Sequence, residues 1–287
     1  MAAWIPVPIC LTFRQMGSES ASRPPRSSVP YSIPFHVIAH RGASAYAPEN
    51  TLPAFELAHR MGAFEVEIDV VLSSDDEVAL FHDTQMDTKT NRTGVPRDYT
   101  LAELLDTDIG TWFDKAHPEV EVRYAGTGLI SLKQLFETMG RSLYYHIELK
   151  DDQAELPRRT LDVIEAAGLR DRVMMTSFRL EQLRRFRALD AQVPICWLLP
   201  GNYLEGIDQA LAEGFQQVGI PVRDLSEENV SVAQSKGLEA RVWYITSDED
   251  MDLAIHLGAN GMTTNWPDRL IARVVRDLGA PDTALGS

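Results

Sequence analysis

The residues of this chain best suited to chemistry are carboxylates and histidines set in β-like runs. In EVEIDVVL (65–72), Glu65, Glu67 and Asp69 alternate with Val66, Ile68 and Val70. A strand would therefore carry three carboxylates on one face and apolar side chains on the other. Like charges packed side by side are costly unless a cation neutralises them, and a hard divalent ion with oxygen ligands does so. Glu65 opens the run and belongs to a different level, so Glu67 and Asp69 are the stronger ligand candidates. In LYYHIELK (143–150), His146, Glu148 and Lys150 share one face. Glu148 can complete the cation site and Lys150 can hold a phosphate oxygen, while His146, one level deeper, reads as a packed and hydrogen-bonded histidine. The competing reading of these fragments is a solvated acidic strand face and an internally neutralised Glu148–Lys150 pair. Two further histidines close β-like runs, His40 before Arg41-Gly42 and His82 before Asp83. Paired imidazoles make a natural acid and base near neutral pH. The remaining histidines, His36, His59, His117 and His256, have no such neighbours and receive no role.

These residues need a scaffold, and the hydrophobic pattern supplies one. Strands are predicted at 36–41, 65–72, 77–82, 143–150, 173–178, 193–199, 215–220, 238–245 and 260–264. Helices are predicted between most of them, at about 50–61, 131–140, 153–167, 179–189, 204–213, 226–236, 248–257 and 267–278. Alternation of this kind predicts a parallel sheet. Eight βα units result if 65–72 and 77–82 share one unit. No glycine-rich dinucleotide fingerprint follows the first strand, so the expected α/β fold is a (β/α)8 TIM barrel rather than an open doubly wound sheet. The ends of the barrel strands then form the active face. Residues 83–130 hold no clean unit and are expected to be an insertion standing over that face.

Composition sets the outer limits. The chain has 287 residues, enough to bury a sizeable core, with 44% hydrophobic and 24% charged residues. Its formal net charge of −15 argues against tracking a nucleic-acid backbone. Such a chain must supply positive charge to a phosphate locally. Cys10 and Cys196 cannot make a disulfide framework, and no run of 18 apolar residues predicts a membrane span. Residues 1–34 read as a disordered leader without a convincing export signal, which favours a cytoplasmic location. Residues 35–280 read as the barrel and 281–287 as a tail.

HRGASAYAPENTLPAFELA (40–58) followed by VEIDVVLSSDDEVALFHD (66–83) resembles the signature of the glycerophosphodiester phosphodiesterase family. LAELLDTDIGTWF (101–113), IELK (147–150), TSF (176–178), VWYI (242–245) and GANGMTTNWP (258–267) agree with it. The resemblance covers about residues 36–275. It implies a (β/α)8 barrel with a small insertion after the second strand, His40 and His82 as acid/base pair, and Glu67, Asp69 and Glu148 as ligands of Mg²⁺ or Ca²⁺. It further implies Arg41 and Lys150 as phosphate-binding cations and Trp243 as an aromatic lining the pocket for the alcohol. Two positions depart from the family: Asn265, where Asp is usual, and Trp243-Tyr244-Ile245-Thr246, where Trp-Thr-Val-Asn is usual. Both are expected to lie away from the metal and the histidines.

The expected function is metal-dependent hydrolysis of a small-molecule glycerophosphodiester to glycerol 3-phosphate and an alcohol, with no nucleic-acid partner and no stable membrane insertion. Which histidine is acid and which base stays open; His40 as base is preferred. Glu49 and Asp83 are candidates to orient Arg41 and His82. Trp112 and Phe113 either roof the mouth opposite Trp243 or form the insertion's own core. The alternatives are a lysophospholipase D or sphingomyelinase D-like phosphodiesterase on the same barrel and, more remotely, an inactive binding protein.

Overall fold

Strand β1 (His36–His40) pairs in parallel with β2 (Glu65–Leu72) on one side and with β9 (Gly261–Thr264) on the other. That double pairing closes a sheet which runs from β2 through β4 (Tyr144–Leu149), β5 (Val173–Ser177), β6 (Ile195–Leu198), β7 (Gln217–Pro221) and β8 (Glu239–Trp243) to β9. The computed structural model describes residues 35–279. The expected leader (1–34) and tail (281–287) lie outside them. The closed parallel sheet with helices between its strands is the (β/α)8 barrel that the alternation predicts.

The strands are buried on both faces, as parallel barrel strands must be; every residue of β4 is buried. The outward set Val66, Ile68, Val70, Tyr145, Ile147 and Leu149 packs under the helices. The helices arise from amphipathic runs with legible starts. Ser131 caps α4 (Leu132–Met139) by accepting from the Gln134 amide, and Gln134 reaches back to the Ser131 amide. Pro157 sits in the first turn of α5 (Leu156–Ala167), where its missing N–H costs nothing. The barrel interior carries an apolar cluster of Tyr144, Met174, Cys196 and Leu198. Near it lies a polar layer. His146 Nε2 meets Glu65 Oε2 at 2.8 Å, its Nδ1 meets the buried Arg241 guanidinium at 3.2 Å, and His36 Nδ1 meets Glu65 Oε1 at 2.7 Å.

Two expectations change in detail. The predicted strand 77–82 is shorter: as β3 (Val78–Leu80) it shares a unit with β2, as expected, and runs antiparallel to it, with Leu80 opposite Val70. β2 overshoots, turns, and returns, so that the Phe81 amide donates to the Asp69 carbonyl at 3.1 Å. His82 thus reaches the level of Asp69 on a return leg, whereas His40 ends a true barrel strand. The predicted strand 238–245 stops at Trp243 because Tyr244 takes φ 62°, outside the β region.

Between β3 and α4 the chain builds the expected insertion, with helices α2 (Leu101–Leu105) and α3 (Gly110–Ala116). It has a core of its own, Phe81, Met86, Leu104, Ile109 and Leu129 against Val71 and Ala79. The other helices follow the barrel strands, beginning with α1 (Leu52–Arg60) after β1. Among the described residues no helix is long and apolar enough to cross a membrane.

Candidate active site

Strand register decides which side chains meet. In the pairing of β1 with β2, His40 stands opposite Glu67; in that of β2 with β4, Asp69 stands opposite Glu148. Ligand atoms of Glu67, Asp69 and Glu148 consequently lie within 4.8 Å of one another, and all three residues are buried. Glu65 stays one level down with His36 and His146, as the alternation suggested.

Three buried carboxylates in one place demand compensation, and the chain supplies part of it. Arg41 Nε lies 3.1 Å from Asp69 Oδ2, and Lys150 Nζ lies 3.0 Å from Glu148 Oε1 and 3.6 Å from Asp69 Oδ1. Burial opposes ionisation of Asp69, but Arg41 and Lys150 prevail and hold its carboxyl well below the usual range. For Glu67 the balance is reversed. Burial, then the charges of Asp69 and Glu148, push it well above the ordinary value. Burial also pushes Glu148 up. Glu67 Oε1 and Asp69 Oδ1 are buried without a hydrogen-bond partner. Orphaned carboxylate oxygens beside a third carboxylate are a hard oxygen donor set, and a divalent cation is what fits it.

The turn after β1 is built for close approach. Arg41 takes φ 55°, a left-handed conformation costing about 1–3 kcal/mol for a residue with a side chain. Gly42 takes φ 84°, and a Cβ there would stand 2.6 Å from the Ala54 backbone of α1. The HRG run is therefore a turn that only glycine completes, and it lays Arg41 across the carboxylates. Arg41 Nη1 donates to Glu49 Oε1 at 3.0 Å. Asn50, itself at φ 57°, donates through Nδ2 to Asp69 Oδ2 at 2.9 Å and accepts from the Asp69 amide at 3.3 Å. The PENT run thus contributes two site residues, of which sequence reasoning had singled out only Glu49.

The two histidines are held differently. His40 Nδ1 meets Asn265 Oδ1 at 2.6 Å, and its Nε2 lies 3.8 Å from Glu67 Oε2. Burial, then the neighbouring Arg41, push His40 well below its ordinary value of 6.5. His82 Nδ1 meets Asp83 Oδ1 at 2.6 Å. Burial opposes ionisation of Asp83, but hydrogen bonds from His82 and Thr88 and the charge of Lys89 hold it well below the usual carboxylate range. The expectation that Asn265 lies away from the histidines is overturned. It follows β9, the neighbour of β1 across the barrel closure, and so arrives at the end of His40's own strand.

A cavity of about 260 Å³ opens beside His40 and Arg41, walled by Glu49, Trp112, Asn265 and Trp266. His117, given no role from sequence, also lines it. Trp112 and Phe113 divide their duties: Trp112 faces the cavity, while Phe113 is buried and stacks on His117 with ring centroids 4.4 Å apart. Trp243 ends β8 and packs edge-on against Phe178 at 5.0 Å, with its Nε1 buried and unpartnered. It does not wall that cavity. Asn265 carried no pairwise signal in sequence because its partner His40 lies 225 residues away, and nothing local marked Trp266 or His117 as walls of a cavity that forms only when the insertion folds over the barrel end.

Residues 40–269 match the glycerophosphoryl diester phosphodiesterase family. The chain is 29% identical over 244 residues to the glycerophosphodiester phosphodiesterase of Bacillus subtilis, covering 80% of this chain and 83% of that protein. It is 30% identical over 249 residues to the glycerophosphodiester phosphodiesterase of Bacillus altitudinis, covering 82% and 96%. The solved structure of an Oleispira antarctica phosphodiesterase, in complex with the product sn-glycerol-3-phosphate, shares the fold with a TM-score of 0.76 at 24% identity, covering 84% of this chain and 97% of that one. A barrel that gathers HRG, PENT, ExD, HD and ExK at one mouth, and a match over most of its length, lead to one conclusion: the chain belongs to the glycerophosphoryl diester phosphodiesterase family.

Proposed function

We propose that this phosphoric diester hydrolase cleaves glycerophosphodiesters to glycerol 3-phosphate and an alcohol, with His40 as base and His82 as acid in the first step. The observation that carries the reading is the buried Glu67, Asp69 and Glu148 cluster, with two orphaned oxygens, flanked by Arg41, Lys150 and the two histidines. Glu67, Asp69 and Glu148 would hold one divalent cation, Mg²⁺ or Ca²⁺, which when bound withdraws charge from a non-bridging phosphate oxygen. Arg41 and Lys150 bind the remaining phosphate charge, and their paired carboxylates keep both cations fixed in place.

The proton inventory follows from the partners of each ring. Asn265 Oδ1 accepts from Nδ1–H of His40, which leaves a lone pair on Nε2 facing the carboxylate cluster. His40, neutral because burial and Arg41 disfavour its charge, takes the proton of the glycerol 2-hydroxyl as that oxygen bonds to phosphorus. The Asp83 carboxylate on Nδ1 of His82 compensates a positive ring, and His82 gives its proton to the departing alcohol oxygen as the P–O bond breaks. Water then opens the cyclic phosphate with the roles reversed. Neutral His82 takes the water proton, and charged His40 returns one to the 2-oxygen.

The test is hydrolysis of glycerophosphocholine by the full chain, with product glycerol 3-phosphate read by a coupled assay, before and after chelation. Loss of activity on chelation and recovery with Mg²⁺ or Ca²⁺ are expected. Activity that survives exhaustive chelation overturns the cation assignment; glycerol 3-phosphate absent from the products overturns the substrate.

A further inference from the structure

Lys89 belongs to the insertion, yet its ammonium lies between the two carboxylates that hold the reactive groups. Its Nζ is 2.8 Å from Glu49 Oε1 and 3.2 Å from Asp83 Oδ1. The same Glu49 oxygen accepts from Arg41 Nη1 at 3.0 Å, and the same Asp83 oxygen meets His82 Nδ1 at 2.6 Å. One ammonium thus closes a chain running Arg41–Glu49–Lys89–Asp83–His82. Ligand atoms of Glu49, His82 and Asp83 lie within 4.8 Å of one another, a spacing at which two ionised carboxylates repel unless a cation sits with them. Lys89 is that cation, built into the chain. It is itself held: its side chain is 17% exposed and its Nζ lies 5.4 Å from the centroid of the Trp112 ring. Thr88, its neighbour in sequence, donates to the other Asp83 oxygen at 2.6 Å.

We propose that Lys89 is a positioning residue for this reaction, the strut through which the insertion fixes His82, by way of Asp83, and Arg41, by way of Glu49. The inference rests on the reading of His82 as the acid that protonates the departing alcohol. It gives the insertion a duty besides walling the cavity. Without the ammonium, Glu49 and Asp83 move apart, and the ring and guanidinium they hold move with them.

The experiment compares Lys89→Met, Lys89→Arg, Asp83→Asn and the Lys89→Met/Asp83→Asn pair in the full chain, with thermal melting to confirm folding. Lys89→Met is expected to lower kcat on glycerophosphocholine about 10- to 100-fold, the range found when an outer partner of a working group is removed. On a p-nitrophenyl phosphodiester, whose leaving group departs without a proton, the loss should be distinctly smaller. Lys89→Arg should recover most of the rate. The pair should lose less than the product of the two single losses, because both changes free His82 and only the Arg41 branch is cut by Lys89→Met alone. Equal losses on the two esters, no recovery with Arg, or multiplicative losses in the pair would overturn the proposal. Failure of the underlying reading shows elsewhere: His82→Asn would then fail to distinguish the two esters, or the unsubstituted chain would not cleave glycerophosphocholine. Even then the NMR signal of the His82 Nδ1 proton decides the positioning claim without turnover, since it shifts in Lys89→Met if Lys89 fixes Asp83 and stays in place if it does not.

Discussion

Asn265 Oδ1 stands 2.6 Å from Nδ1 of His40, which gives the first imidazole a neutral partner where the second has a carboxylate. That asymmetry separates two otherwise similar histidines at one barrel mouth. A neutral acceptor fixes the tautomer without compensating ring charge; a carboxylate does both. A pH prediction follows from it. His40 is pushed below 6.5 by burial and Arg41, so the base form is present above that lowered value and is lost as pH falls through it. The acid limb of kcat/KM should therefore lie below pH 6.5. Asn265→Asp places a negative charge on Nδ1, raises the ring's affinity for a proton and moves the limb to higher pH. A pH–rate profile checks this, and a limb that stays in place in Asn265→Asp counts against His40 as base.

Removal of the cation should be felt in stability as well as in rate. With Glu67 pushed up by burial and by Asp69 and Glu148, the cluster favours a cation that binds the folded chain. Ligand at about 100 times Kd adds about 2.7 kcal/mol to the folded state. Differential scanning calorimetry should show a higher Tm with Ca²⁺ or Mg²⁺ than with chelator. In Glu67→Gln, which lowers the charge of the donor set and keeps its shape, the difference should shrink. An equal metal-induced shift in Glu67→Gln and the unsubstituted chain would remove Glu67 from the ligands.

His146 should behave as a structural residue. It is fully buried, meets Glu65 at 2.8 Å and Arg241 at 3.2 Å, and lies one level below the cation cluster. His146→Ala takes one partner from the part-buried Glu65 carboxylate, which keeps His36, and one from the buried Arg241 guanidinium. Leaving a buried polar group short of a hydrogen bond costs about 1–3 kcal/mol. Urea denaturation should report a loss of that order, while kcat of the protein that remains folded stays close to the parent value. A large fall in kcat without loss of stability would place His146 in the chemistry.

How much of this was legible in the sequence follows from the range of the interactions. The period-2 alternation in EVEIDV and YYHIELK fixes faces within a strand, so Glu67, Asp69 and Glu148 could be read directly. Asn50, Asn265 and Lys89 could not. Asn50 reaches Asp69 through a left-handed turn, Asn265 reaches His40 only because the barrel closes β9 onto β1, and Lys89 reaches Glu49 across 40 residues of chain. Closure and loop folding are tertiary facts with no local period. β3, by contrast, was legible as the second leg of the unit that 65–72 opens, and only its length of three residues differs from the predicted 77–82.

Substrate size is the last property the cavity bears on. At about 260 Å³, the space beside His40 and Arg41 is below the usual ligand-pocket range of about 300–1,000 Å³. Two of its walls are indoles that carry basic side chains: Lys89 lies 5.4 Å from the ring of Trp112, and Arg269 lies 5.6 Å from that of Trp266. Those contacts stiffen the walls and set basic groups against them, where a long acyl chain would need apolar cover. A glycerophosphodiester with a compact head group should be cleaved with a higher kcat/KM than the corresponding lysophospholipid. Trp266→Ala widens the space and leaves Lys89 and its carboxylates untouched, so it should narrow that preference mainly through KM of the lysophospholipid. Steady-state kinetics on glycerophosphocholine and lysophosphatidylcholine check both statements. A parent chain that prefers lysophosphatidylcholine would show that the acyl chain leaves the site by another route, along the side of the barrel that carries Trp243 and Phe178.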